Sequence, residues 1–114
     1  MQVQFYSDSS VMGSDEVSSR IEAKVREKLG RFEERLTRLE VHVHNDHRHT
    51  HGHDDKACTL EARPRGGKPV GVTEHGSTVD DAARRAAMTL AQRLDRLFGK
   101  SERHGHDPRP DKVM

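Results

Sequence analysis

Leu39-Glu-Val-His-Val-His44 and Ala57-Cys-Thr-Leu-Glu-Ala-Arg63 decide the fold of this chain. In the first, Leu39, Val41 and Val43 alternate with Glu40, His42 and His44; in the second, Cys58, Leu60 and Ala62 alternate with Ala57, Thr59, Glu61 and Arg63. A period of two sends neighbouring side chains to opposite faces, so each stretch reads as a strand with one dry face. Val3 and Phe5, alternating with Gln2, Gln4 and Tyr6, predict a strand before them. Val70 and Val72 predict a short one after them, opened by Pro69, which suits a strand start or a sheet edge. Gly66-Gly67 supplies a tight reversal between the last two strands.

Two helical patterns flank these strands. Val17, Ile21, Val25, Leu29, Phe32 and Leu36 recur every three or four residues and predict a helix to about Leu36, capped by Ser14, with Gly30 a weak point inside it. The cations Arg20, Lys24, Lys28, Arg31, Arg35 and Arg38 recur at the same spacing, on an arc about 90° from the apolar one. Val79, Ala83, Ala86, Leu90, Leu94 and Leu97 predict a second helix, capped by Thr78 and ended by Gly99. Arg85, Arg93, Arg96 and Lys100 cluster on an arc about 120° from its apolar centre. The formal net charge of +1 therefore hides two basic stripes, and a basic stripe is the footprint of a polyanion. The plain alternative is a solvated surface tied by i,i+4 pairs, for which Glu16–Arg20, Glu27–Arg31 and Glu34–Arg38 have the spacing.

The element order β-α-β-β-β-α predicts an α+β two-layer sandwich: a four-stranded sheet with both helices on one face. The other face, with Gln4, His42, His44, Thr59 and Glu61, is left to solvent or a partner. Residues 1–100 are expected to form one domain, and 101–114, with Pro108 and Pro110 and no apolar period, a disordered tail. Only 31% of the 114 residues are hydrophobic and 34% are charged, so the core is thin. Aromatic residues are Phe5, Tyr6, Phe32 and Phe98 alone, which argues against a platform of stacked bases. No apolar run is long enough to cross a membrane, and the N-terminus lacks the pattern of a secretory signal. The single Cys58 permits no internal disulfide, and a reducing cytoplasm is the simplest compartment.

The wording Leu39-Glu-Val-His-Val43, Asp55-Lys-Ala-Cys-Thr-Leu-Glu-Ala-Arg63, Gly67-Lys-Pro-Val70 and Val72-Thr73 resembles the ribosome hibernation-promoting factor and ribosome-associated inhibitor family, short type. The element order extends that resemblance over residues 1 to 100. It implies a fold similar to a double-stranded RNA-binding domain. It further implies a translation inhibitor that occupies the mRNA and tRNA channel of the small ribosomal subunit in starved cells, with no small-molecule substrate and no cofactor. By the same resemblance, contacts to ribosomal RNA map onto Lys24, Lys28 and Arg31, with Arg35 on the same stripe, and onto Arg85, Arg93, Arg96 and Lys100. The chain departs from the family at Thr89 and Gln92, where short members often carry a cation, and in its histidine content.

Duplex RNA is recognised by shape and backbone rather than by base edges, which suits rigid helices carrying cations at turn spacing. Inhibition then needs occupancy and no chemistry, and no catalytic residue is assigned. The histidines are the other candidate. His42, His44, His47, His49, His51 and His53 lie close together, and imidazole is a good ligand for zinc, nickel or copper. The tract is compositional and lacks a ligand spacing, so no metal ligand is assigned; a histidine-rich metal-binding protein and a generic RNA-binding stress protein are the rival readings. Acidification through a histidine pKa of about 6.5 would add positive charge to this loop. Cys58 falls on the apolar face of its strand and reads as a packing residue. Glu74 and His75 read as turn material.

Overall fold

The structure, a computed structural model, describes residues 1–7, 15–45 and 56–105, with side chains through 99. Its elements are β1 (Gln2–Ser7), α1 (Asp15–Leu29), a 3-10 helical segment (Gly30–Arg35), β2 (Leu36–Asn45), β3 (Lys56–Pro64), β4 (Val70–Gly76) and α2 (Val79–Gly105). Ser14, the histidines of residues 46–55 and residues 106–114 lie outside the described residues.

The four strands form one sheet in the order β1-β2-β3-β4. β1 runs parallel to β2, with Val3 beside Leu39 and Phe5 beside Val41. β3 is antiparallel to both neighbours, with Leu60 opposite Val41 and Val72. A parallel pair needs a crossover, and α1 provides it. Leu39, Val41 and Val43 from β2 and Cys58, Leu60 and Ala62 from β3 join Ile21, Val25 and Leu29 of α1 and Ala83, Ala86, Leu90 and Leu94 of α2 in one core. The two-layer arrangement is therefore as the alternation predicted. The alanines Ala82, Ala83, Ala86 and Ala87, all fully buried, bring α2 close to the strands beneath it.

The first helix is shorter than its apolar period predicts. It ends at Leu29, and Gly30, the weakest helix former in the segment, opens the 3-10 turns. Leu36 and Arg38 stand on β2 rather than on a helix. A register shift lies between Leu36 and Arg38, which lets Leu36 and Leu39, three residues apart, both turn inward. That spacing imitates a helical one. The last helix is longer than predicted: Gly99 does not end it, and Ser101 to Gly105 continue it. A Cβ at Gly99 would meet nothing, so the residue is merely one poor helix former inside a long helix. Thr78 caps α2 as expected, its Oγ1 accepting the Asp81 N–H at 3.0 Å.

Candidate nucleic-acid interface

Two ion pairs set the helices relative to each other. Arg20 Nε donates to Asp80 Oδ2 at 2.9 Å, and Arg31 Nη2 meets Asp95 Oδ2 at 2.5 Å. Early α1 thus touches early α2, and the segment after α1 touches the later part of α2, so the helices lie side by side and run the same way. The acids four residues before Arg20 and Arg31 are not their partners; these cations are spent between helices, not along one. Arg38 likewise pairs with Glu40 on β2, not with Glu34.

Lys24 and Lys28 follow Arg20 at one-turn spacing and continue the flank of α1 that meets α2. Neither has a carboxylate partner among the described residues. Arg31 is held by Asp95 and lies over the Phe32 ring, 4.4 Å from its centroid. Arg35 lies over the Phe98 ring at 4.1 Å, and the two phenylalanines meet at 5.8 Å, so this end of the helix layer is a pair of phenylalanine rings with a guanidinium over each.

On α2 the cations take the opposite flank. Arg85 Nη1 donates to the His75 carbonyl and Arg93 Nη1 to the Gly71 carbonyl, each at 3.4 Å. Thr89, midway between them, donates to Glu74 Oε2 at 2.9 Å. These three residues tie α2 down onto β4, the edge strand, while Asp80 and Asp95 face α1. Arg85 also pairs with Asp81 at 3.3 Å. Arg84, closer still at 2.7 Å, holds the Asp81 carboxyl below the usual carboxylate range, with Arg85 adding to the effect. Arg96 is exposed and without a carboxylate partner among the described residues. The Lys100 side chain lies outside the described residues. The helix layer therefore carries two banks of cations, Lys24 and Lys28 beside the helix junction and Arg85, Arg93 and Arg96 towards β4, with the exposed ridge of α2, including Met88 and Gln92, between them.

The open sheet face holds a second group that composition did not reveal. Glu40, only 8% exposed, pairs with Arg38, is hydrogen-bonded to His42 Nε2 at 3.1 Å, and lies 3.7 Å from Arg63. The hydrogen bonds from His42 and then Arg38 hold its carboxyl below the usual range against the opposing effect of burial. Tyr6, the chain's sole tyrosine, stacks on His42 with centroids 4.6 Å apart and planes 12° from parallel. The signal available in the sequence was the shared polar phase of Tyr6 and His42 on adjacent strands.

Cys58 is fully buried, and burial pushes its thiol up to about 12, which fits packing and not nucleophilic chemistry. No group of three or more His, Cys, Asp or Glu among the described residues is arranged to hold a metal ion. Among the described residues no helix is long and apolar enough to cross a membrane.

The fold is similar to that in the crystal structure of the Thermus thermophilus Protein Y N-terminal domain, with a TM-score of 0.60 at 18% identity, covering 85% of this chain and 99% of that one. It is also similar to a ribosomal subunit interface protein from Coxiella burnetii, with a TM-score of 0.65 at 12% identity, covering 87% of this chain and 99% of that one. No curated protein sequence matches the chain. A family model described as sigma 54 modulation protein / S30EA ribosomal protein matches residues 11–102, and the chain belongs to that family.

Proposed function

We propose that this chain binds the small ribosomal subunit through the cations of its helix layer and keeps the subunit from translating by occupying the mRNA and tRNA channel. The observation that carries the reading is that Lys24, Lys28 and Arg96 spend no charge on a described carboxylate, in a chain of a ribosomal protein family. Arg85 and Arg93 support it. Their carbonyl contacts at 3.4 Å are long for a hydrogen bond, so both guanidiniums exchange them readily for phosphate oxygens, Arg93 without a described carboxylate beside it and Arg85 while still sharing its charge with Asp81. The two similar structures, a Protein Y domain and a ribosomal subunit interface protein, point the same way. A ribosomal partner places the protein in the cytoplasm, and inhibition by occupancy fits starved, non-growing cells.

If about five phosphates are neutralised, log affinity falls with log salt at a slope of about −3.5 to −4.5. The test is co-sedimentation with purified small subunits. The quadruple variant Lys28→Glu, Arg31→Glu, Arg85→Glu, Arg93→Glu is expected to leave the subunit peak at a salt concentration where the parent stays on it. Undiminished co-sedimentation of a folded quadruple variant would overturn the reading.

A further inference from the structure

The face of the sheet opposite the helices is open, and its side chains are not random polar cover. The strand register lines up Tyr6, His42, Thr59 and Thr73 across all four strands, and beside them Gln4, Glu40, Glu61 and Gly71. The Tyr6–His42 stack stands at one end of the first row, with Tyr6 44% exposed. Next to it is a shallow hollow of about 390 Å³ lined by His42, His44, Thr59, Glu61 and Gly71. Gly71 leaves the hollow open on the β4 side, because a side chain there would stand opposite Glu61.

We propose that this hollow takes a base of single-stranded RNA, stacked against the Tyr6–His42 pile. This deepens the RNA-binding reading and shares its premise that the partner is RNA, but it uses the other face of the molecule. Three observations favour a nucleotide as occupant. The first is a parallel aromatic pair held in place before any ligand arrives: Tyr6 Oη donates to Gln4 Oε1 at 2.8 Å and His42 is fixed by Glu40 at 3.1 Å, so stacking a base on it costs little ordering. The second is the polar lining. Thr59 and Thr73 share a hydrogen bond at 2.7 Å, and Glu61, whose Oε1 accepts from Arg63 at 3.2 Å, lends the wall of the hollow a carboxylate for a donor on the ligand. A carboxylate acceptor selects an exocyclic amino group, such as cytosine N4, over the carbonyl that uracil has at the same position. The third is a pair of guanidiniums: Arg38 and Arg63 are cross-strand neighbours on the same face, and with Glu40 and Glu61 already balancing their charge they offer a ligand in the hollow hydrogen-bond donors rather than net charge. A four-stranded sheet with aromatic residues on its open face is a general solution to binding single strands.

The experiment uses the full chain and fluorescein-labelled single-stranded ribo-octamers, oligo-C and oligo-U, read by anisotropy. The parent is expected to bind oligo-C more tightly than oligo-U. Tyr6→Ala and His42→Ala are each expected to weaken oligo-C binding about five- to hundredfold, while Tyr6→Phe, which keeps the ring, retains it. Because Tyr6 is the sole tyrosine, its ring resonances in the parent report on the hollow directly and are expected to shift on adding oligo-C, which decides the matter even if a variant fails to fold. No binding by the parent, equal binding by folded Tyr6→Ala, or unmoved Tyr6 resonances would overturn the inference. The helix reading is scored separately, by co-sedimentation of Lys24→Glu, Lys28→Glu with small subunits. Loss there with oligo-C binding kept, or the reverse, tells the two faces apart.

Discussion

Arg31 and Asp95 close the gap between the helical segments at 2.5 Å, and this pair decides how much of the basic stripe is available to a partner. Both side chains are more than half exposed, so the pair adds little to stability, within about half a kcal/mol. Its effect is on charge: while Asp95 holds Arg31, the cation is neutralised and turned toward α2.

Removing the acid should release the cation. Asp95→Asn is expected to strengthen binding to small subunits about two- to fivefold and to steepen the salt dependence by about 0.7 to 0.9 in log–log slope, one phosphate's worth. Sedimentation across a salt series checks it, with urea denaturation showing stability nearly unchanged.

Two glycines should respond in opposite directions to the same substitution. At Gly76 a Cβ would lie 2.7 Å from Asp81 Oδ2 and 2.8 Å from the Ala82 backbone nitrogen, so β4 and the start of α2 would have to part. Gly76→Ala is expected to destabilise by about 1–3 kcal/mol, as overpacking does. At Gly99, inside α2 with open space around it, Gly99→Ala should stabilise by about 0.5–1 kcal/mol. Paired thermal and urea unfolding curves measure both.

The core is thin enough for one side chain to decide it. Leu60 and Leu90 are fully buried in the layer between sheet and α2. Either one changed to alanine should cost about 2–5 kcal/mol, a large part of the stability of a domain this size. Urea midpoints give the values.

Acid should loosen the sheet face. The Glu40 carboxyl, held below its ordinary value by His42 and Arg38, contributes stability that is fully present above the unfolded-state value of about 4.5. That contribution fades as pH falls through the lower folded-state value, when the carboxylate protonates and releases its partners. Asp81, lowered by Arg84 and then Arg85, acts in the same sense, but over a more acidic window that opens below its own unfolded-state value of 3.8. Glu40→Gln is therefore expected to unfold in urea with less change of midpoint between pH 6 and pH 3 than the parent. Equal acid sensitivity in the two proteins would remove Glu40 from the account.

The strands were legible because from Leu39 to His44 and from Ala57 to Arg63 each inward residue is apolar and each outward one is small, polar or charged, so the period of two is unbroken within both stretches. The end of α1 was not. Leu29, Phe32 and Leu36 are all buried, and their spacings of three and four continue the helical rhythm through a 3-10 segment and past the register shift into a strand. Thr78 as a cap was legible because its role is local. The partners of Arg20 and Arg31 were not, since a helical wheel sees acids four residues away and is blind to Asp80 and Asp95 on another element. The stacking of Tyr6 on His42 escaped for the same reason: counting aromatic residues leaves out the imidazole that completes the pair.

The loose hold of Arg85 and Arg93 on β4 has a colloidal consequence. A bare border strand invites a neighbouring molecule to extend the sheet, the route by which β proteins assemble into fibrils. Here two carbonyl oxygens of that border are already engaged by bulky charged groups from the same molecule. Charge-reversal variants at these positions thus lose a safeguard as well as a proposed RNA contact, and their solubility at high concentration is the property most exposed by the change.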